Sequence, residues 1–296
     1  MKNSLFNNVY VVIVIYNQKI TNCDTLNSLY ESLLYYGEVS NLDVLIYDNS
    51  TNSQDIRCLK LNPYINLDYF HDSKNSGVSK AYNTAAKKAS VLGKKWLLIF
   101  DHDTNLPIES IKCYSDAVIN NKEYQIFSPI LFHGDKIISP CKYKGFRGHT
   151  HNHFISGACN FSDFVPINSG MLISLNLFHL VGGYNDELKL DFSDFDFISN
   201  TRKIIDTYFV IDLKIQHDLS GINLKDMNRT TTRFISYCHS AVILSKATED
   251  VIALFLNVLL RSLVLSYRMK SINFFLIFLQ HFVYRKINLF TKYHSN

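Results

Sequence analysis

Trp96-Leu97-Leu98-Ile99-Phe100-Asp101-His102-Asp103 is the stretch on which the reading of this chain turns. A short, unbroken apolar run that ends abruptly in carboxylates has the length and content of a strand covered on both faces. Alternate residues of an extended segment project to one side, so Asp101 and Asp103 can converge on one cation, or on a cation and a ribose. Two carboxylates, with phosphate oxygens and water completing the shell, are how Mg²⁺ or Mn²⁺ is held at phosphate chemistry. Taken alone, the same pair fits a solvated turn equally well.

Working outward, residues 9–16, 44–47 and 67–70 are further short apolar runs that predict buried strands. Between the last of these and Trp96 lies a helical pattern over residues 78–92. Val78, Ala81, Tyr82, Ala85, Ala86 and Ala89 form its apolar stripe, with Lys80, Lys87 and Lys88 off it. Strands alternating with helices imply a mostly parallel sheet with crossover helices, whose functional residues sit at the carboxyl edge of the strands. Asp48 ends the run Val44-Leu45-Ile46-Tyr47 and is placed to accept hydrogen bonds from a nucleobase or ribose. Asn75-Ser76-Gly77 opens the helix, where free N–H groups and a glycine permit close approach of a ligand; plain capping and turn chemistry is the alternative.

Residues 125–190 are less regular and predict mixed strands with a long loop. Residues 191–205 predict a helix with an acidic first turn, followed by a strand over 208–215 and a turn at Ser220-Gly221. The run His149-Thr150-His151-Asn152-His153 sets three histidines at alternate positions, a pattern that in a strand could face Zn²⁺. No cysteine or acid stands at a helpful spacing, so a polar loop, plain or lining a binding site, is the expectation.

The chain has 296 residues, 47% hydrophobic and 19% charged, with 11 Gly and 5 Pro, which excludes disordered, collagen-like and low-complexity classes. A mean hydropathy of −0.01 excludes a many-spanning membrane protein. The net charge of +4 is divided unevenly: residues 1–224 carry −3, whereas residues 225–296 hold ten Lys or Arg against three acids, for +7. A faintly acidic body with a basic, greasy tail predicts a soluble domain that meets an anionic surface.

In the tail, residues 251–260 and 272–284 are apolar nearly all round. Asn257, Arg261, Arg268, Lys270, Gln280, His281 and Arg285 interrupt every uncharged stretch of 18, so interfacial helices are expected rather than a spanning one. Packing on the body or on another subunit is the alternative. Basic residues embedded in apolar helices do not make a nucleic-acid groove. Six scattered cysteines without a CxxC pair read as reduced thiols, and residues 9–16 lack the flanks of a signal peptide.

The order of motifs carries a resemblance. Tyr16-Asn17, Asp48-Asn49-Ser50, Asn75-x-Gly77-x-x-x-Ala81-x-Asn83 and Asp101-His102-Asp103-Thr104 with Pro107 resemble the nucleotide-sugar half of family 2 glycosyltransferases. Asn168-Ser169-Gly170-Met171-Leu172-Ile173-Ser174 and Val181-Gly182-Gly183-Tyr184-Asn185-Asp186-Glu187-Leu188 resemble its acceptor-side segment, and Asp191-Phe192-Ser193-Asp194-Phe195-Asp196 that of its rhamnosyltransferase branch. His102, Asp196 and His239-Ser240 depart from the branch's usual residues.

The resemblance covers about residues 9–221 and implies an α/β chain of GT-A type: a Rossmann-like, nucleotide-sugar-binding, mixed but mostly parallel sheet flanked by helices. Residues 1–224 would be the catalytic domain and residues 225–296 a C-terminal helical extension at a membrane surface. It implies an inverting transfer in which Mg²⁺ or Mn²⁺ at Asp101, Asp103 and His217 neutralises the leaving nucleoside diphosphate. Asp194 takes the place of the base, ionised by the helix N-terminus, with Asp191 orienting the acceptor or sharing the role. Tyr16, Asn17, Asp48, Asn75, Gly77 and Asp101 would meet the donor, and Asn168, Ser169 and Gly170 the acceptor.

The expected donor is dTDP-rhamnose, with a UDP-hexose as alternative, and the expected acceptor a lipid-linked saccharide of bacterial surface polysaccharide. The expected place is the cytoplasmic face of the plasma membrane. Two rivals of other classes are a phosphatase of the haloacid dehalogenase type, which also ends a strand in Asp-x-Asp, and a non-enzymatic membrane-associated protein. The first wants Thr or Val two residues after the second Asp, where this chain has Asn105. Joint retention of Asp101, Asp103 and Asp194 argues against the second.

Overall fold

The computed structural model describes residues 5–37, 41–56, 63–217, 226–246, 248 and 250–286. The expected Ser220-Gly221 turn, Cys58 and the 224/225 boundary fall outside them. Four parallel strands form the heart of the fold: β1 (Val9–Ile15), β2 (Leu42–Asp48), β3 (Ile65–His71) and β4 (Trp96–Asp101), in spatial order β3-β2-β1-β4. Val12 lies opposite Leu45 on one side and Ile99 on the other. Helices α1 (Asp24–Tyr36) and α2 (Val78–Val91) cross over between strands. β1 therefore sits where the strand order reverses, and such a switch point opens a crevice at the carboxyl ends of the strands.

The remaining strands widen the sheet. β5 (Thr104–Asn105) follows the Asp-His-Asp turn and α3 (Ser110–Asn120) covers one face. Then come β6 (Ile126–His133), β7 (Lys136–Lys144), β8 (Arg147–His151), β9 (Gly157–Asn160) and β10 (Met171–Ser174). β10 pairs antiparallel with both β4 and β6, with Leu172 opposite Leu98 and Phe127. After α4 (Leu175–Val181) and α5 (Ser193–Thr201), β11 (Thr207–His217) runs parallel to β6 and antiparallel to β5, opposing His217 to Thr104.

Strand alternation divides the core. Val12, Val14, Leu45 and Tyr47 face Ala81, Tyr82 and Ala85 of α2, whereas Val11, Ile13, Val44 and Ile46 share the opposite cluster with Leu29, Leu33 and Ile111 of α1 and α3. Each such buried aliphatic side chain contributes about 1.5–3 kcal/mol. Three expectations shift. β3 is an outer strand, half-buried, with Phe70 40% exposed, because nothing among the described residues pairs its far edge. The 191–205 helix begins only at Ser193, because Phe192 adopts φ 68° and breaks it from Asp191. β11 runs to residue 217, so His217 ends a strand instead of lying beyond one.

The C-terminal residues form α6 (Met227–Leu244), α7 (Val251–Arg268) and α8 (Asn273–Phe278), the last continued by a π turn over Leu279–Tyr284. Phe234, Tyr237, Val258, Phe274 and Phe282 make a third core that also takes in Phe192. α7 runs past the apolar stretch visible in the sequence. By length and composition it could cross a membrane, at 18 residues and a mean hydropathy of 1.6. Arg261, which interrupts that stretch, is exposed, and its guanidinium lies 4.0 Å from the centre of the Tyr237 ring of α6. Leu254, Val258 and Leu265 are buried, while Ile252, Leu256, Leu260, Leu263, Val264 and Tyr267 are exposed.

Candidate active site

Asp101 is the last residue of β4, Asp103 lies in the turn after it, and His217 ends β11 beside β5. One ligand atom from each lies within 4.8 Å of the others, and this is the one such three-residue group among the described residues. His217 Nε2 is 3.9 Å from Asp101 Oδ2 and Nδ1 is 3.8 Å from Asp103 Oδ1. The Thr104 hydroxyl sits 3.2 Å from Nδ1 and 2.7 Å from the Ser169 hydroxyl, which also accepts from the Asp101 N–H. That network holds the ring with Nε2 toward Asp101. His217 is 7% exposed and the Asp101 side chain 35%, so the cluster is anchored on the histidine and open at the aspartate. Two carboxylate oxygens and an imidazole nitrogen suit Mg²⁺ or Mn²⁺. Without a cation, burial raises the Asp101 carboxyl above its ordinary value; His217 opposes that and Asp103 adds to it.

Asp194 occupies the first turn of α5, where its Oδ1 accepts from the Phe195 N–H at 2.9 Å. The helix N-terminus was expected to keep it ionised. Burial instead dominates and raises its carboxyl to about 7; the backbone hydrogen bonds offset this only in part, and the charges of Asp191 and Asp101 add to it. Asp194 and Asp101 share one space, because both charges act on the buried Tyr82 and Tyr184 hydroxyls, whose deprotonation burial already opposes. The Tyr82 hydroxyl has no hydrogen-bond partner among the described residues. Asp196 faces another way, and burial raises it as well.

Asp191, just ahead of Phe192, pairs through Oδ1 with Arg233 of α6 at 3.0 Å, while its buried Oδ2 has no hydrogen-bond partner among the described residues. Sequence reasoning missed Arg233, counting it with the membrane-facing charge of the tail. Its only signal is that it is a basic residue set among polar ones, Thr230-Thr231-Thr232, ahead of the greasy run.

Several expected ligand contacts prove internal. Asp48 is fully buried: Oδ1 accepts from the Ser50 N–H, and Oδ2 from the Tyr69 hydroxyl and the Gln54 amide. It shapes the loop after β2 instead of presenting its carboxylate. The start of α2 is likewise closed by the chain itself, since the Val78 N–H donates to Lys189 O at 2.7 Å and the Ser79 hydroxyl to Leu188 O. Gly77, at φ 98°, admits that crossing backbone: a Cβ there would lie 2.2 Å from Lys189 O. Asn83 grips the same segment at Tyr184 and Asp186.

Asn168 is buried between the Ser193 and Tyr184 hydroxyls, Ser169 braces Asp101, and Gly170 at φ 81° packs on Pro129. Asn168 and Ser169 are buried, and their polar side chains are engaged within the protein. Tyr16 and Asn17 follow the end of β1 and are exposed, as is Asn75, ahead of α2 at φ 48°. The three alternate histidines are not a metal site: His149 and His151 sit on β8, and their ring nitrogens meet backbone carbonyls. Cys23, Cys113, Cys141, Cys159 and Cys238 are free thiols, and burial pushes Cys23 up to about 11 and Cys141 and Cys238 to about 12.

The family model for glycosyl transferase family 2 matches residues 10–156. A dTDP-rhamnosyl transferase, RfbF of Shigella flexneri, is 28% identical over 228 residues, covering 74% of this chain and 71% of that one. TarS of S. aureus, residues 1–349, superposes with a TM-score of 0.50 at 16% identity, over 85% of this chain and 69% of that one. GalNAc-T7, solved with UDP, GalNAc and Mn²⁺, gives 0.53 at 11% identity, over 96% of this chain and 57% of that one. These two show a shared fold alone. With the switch-point crevice, the Asp-His-Asp turn and a curated relative that extends past the matched segment, the chain belongs to the family 2 glycosyltransferases, and resembles their rhamnosyltransferases.

Proposed function

We propose that this transferase moves rhamnose from dTDP-rhamnose, with inversion, onto a lipid-linked saccharide during assembly of a bacterial surface polysaccharide. The likeness to the Shigella flexneri dTDP-rhamnosyl transferase supports the donor. The observation that carries the chemistry is the pairing of an Asp-Asp-His cluster with a carboxylate raised to about 7 in the same space. Asp101, Asp103 and His217 would hold a divalent cation, which supplies positive charge against the leaving diphosphate. Tyr16, Asn17 and Asn75 edge the donor crevice, with Asp48 and Gly77 fixing the loops that carry them.

Asp194 is the base. A carboxylate with a value near 7 is half ionised at neutral pH and strong enough to take a hydroxyl proton as it becomes acidic in the transition state. The acceptor oxygen forms a new bond to the anomeric carbon and the bond to the diphosphate breaks on the opposite face. The proton goes to Asp194, and the electron pair leaves with the nucleoside diphosphate. Asp191, its Oδ1 fixed by Arg233, offers the buried Oδ2 to an acceptor hydroxyl.

The chain works at the cytoplasmic membrane surface, with the exposed apolar side of α7 in the interface and Arg268, Lys270, Arg285 and Lys286 near anionic headgroups. A panel of dTDP-, UDP- and GDP-sugars with and without Mn²⁺ or Mg²⁺ tests the reading, together with the anomeric configuration of the product by NMR. Turnover of dTDP-rhamnose to an inverted product is expected. Turnover of a UDP-hexose would replace the donor, and a retained configuration would reject Asp194 as base.

A further inference from the structure

We propose that the β7–β8 hairpin carries a phosphoryl-binding site, in which Lys136 and Lys142 hold anionic oxygens beside the His151 ring. From Lys136 to Ser162 the chain has no Asp or Glu, yet it has Lys136, Lys142, Lys144, Arg147 and three histidines, inside a body that is net negative. The hairpin gathers part of this charge at a cleft of about 620 Å³, lined by Lys136, Lys142, Thr150, His151, His153 and Phe164 among others, none of them acidic. His151 Nδ1 lies 2.8 Å from His153 O and Nε2 lies 2.6 Å from Pro140 O. Both neighbours are backbone carbonyls, so the ring is held in place between two main-chain acceptors.

His151 is fixed further by ring contacts with Phe154 and Phe164, and Lys142 Nζ stands 5.6 Å over the Phe164 ring. Two ammonium groups lining one acid-free cleft match a phosphate or diphosphate, which carries two or more negative charges, better than a single carboxylate; lysine binds such groups as a point charge. Thr150 and Asn152 add neutral donors at the rim. The same hairpin carries Tyr143, whose ring stacks at 3.8 Å on Phe195, next to Asp194, so the hairpin itself packs against the helix of the proposed base. Two sources supply this chemistry: the diphosphate linker of a lipid-borne acceptor and the phosphate of a membrane headgroup.

The test is titration of the full chain with inorganic phosphate in EDTA, following the imidazole resonances of His151 and His153. Saturable movement is expected in the wild type and its loss in Lys136→Ala/Lys142→Ala; no saturable movement, or the same movement in the variant, overturns the site. A second arm separates the sources. If the ligand is the acceptor's linker, KM for a diphosphate-linked acceptor rises roughly tenfold in the variant while kcat and donor KM stay unchanged. If it is a headgroup, binding to phosphatidylglycerol vesicles falls and acceptor KM is unchanged; no change in either overturns the proposal. The kinetic arm rests on the transferase reading and the titration does not, so a wild-type chain without donor turnover fails that reading alone.

Discussion

The Arg233 guanidinium lies 3.0 Å from Asp191 Oδ1, which ties a helix of the basic C-terminal region to the carboxylate three residues before the proposed base. The pair is partly open, with side-chain exposures of 38% for Arg233 and 11% for Asp191. Arg233→Ala leaves a mostly buried carboxylate without its partner, at a stability loss of about 1–2 kcal/mol after discounting for solvent on the arginine. Denaturant unfolding checks this, and the accompanying expectation is a raised acceptor KM with donor binding intact.

The value of about 7 for Asp194 sets two pH dependences. The rate should fall below about pH 7 as the base is protonated, and Asp194→Asn should abolish transfer while nucleotide binding persists. The stability effect has the opposite sense. A carboxyl raised in the folded state binds its proton more tightly there than in the unfolded chain, so folding loses stability as pH rises from about 4 to 7. Asp194→Asn should therefore melt a few degrees higher than wild type at pH 8 and about the same at pH 4. Equal melting differences at both pH values would contradict the burial of an ionisable base.

Gly77 and Gly37 both have positive φ, but only Gly77 has backbone in the way of a Cβ. Gly77→Ala should destabilise by about 3 kcal/mol or more, because the Lys189 crossing must move, whereas Gly37→Ala should cost only about 1 kcal/mol. Thermal melting of the two variants side by side separates conformational strain from collision.

For the tail, truncation is a poor probe. Removing α7 and α8 would expose Phe234 and Tyr237 of α6 and loosen Phe192 beside the site. Exchange of the exposed Leu256, Leu260 and Leu263 for serine should release the chain from anionic vesicles and leave turnover of a soluble acceptor unchanged. Undiminished vesicle binding would reject the interfacial role of α7.

What could be read from the residues was what is local. Strands β1, β2 and β4 announce themselves as apolar runs because both faces are covered, and Asp101 with Asp103 is legible because one turn holds both. His217 was legible as a ligand through resemblance, but its position at the end of β11 opposite Thr104 depends on strand pairing over more than a hundred residues. Asp48, Gly77 and Asn168 stand where the motifs put them, yet Asp48 and Asn168 are engaged by Tyr69 and Tyr184, and the Lys189 backbone crosses over Gly77, neighbours a linear reading does not supply. Arg233 was hidden for the same reason: 42 residues separate it from Asp191, and its charge alone pointed toward lipid.

Calorimetric titration of dTDP into the folded chain, with Mn²⁺ and with EDTA, tests the central claim most directly when wild type is compared with Asp103→Ala and Asp194→Asn. Binding should require the cation in wild type, be lost or at least tenfold weaker in Asp103→Ala, and be nearly unchanged in Asp194→Asn. Binding indifferent to the cation and to Asp103, or none to any of dTDP, UDP and GDP, would contradict it.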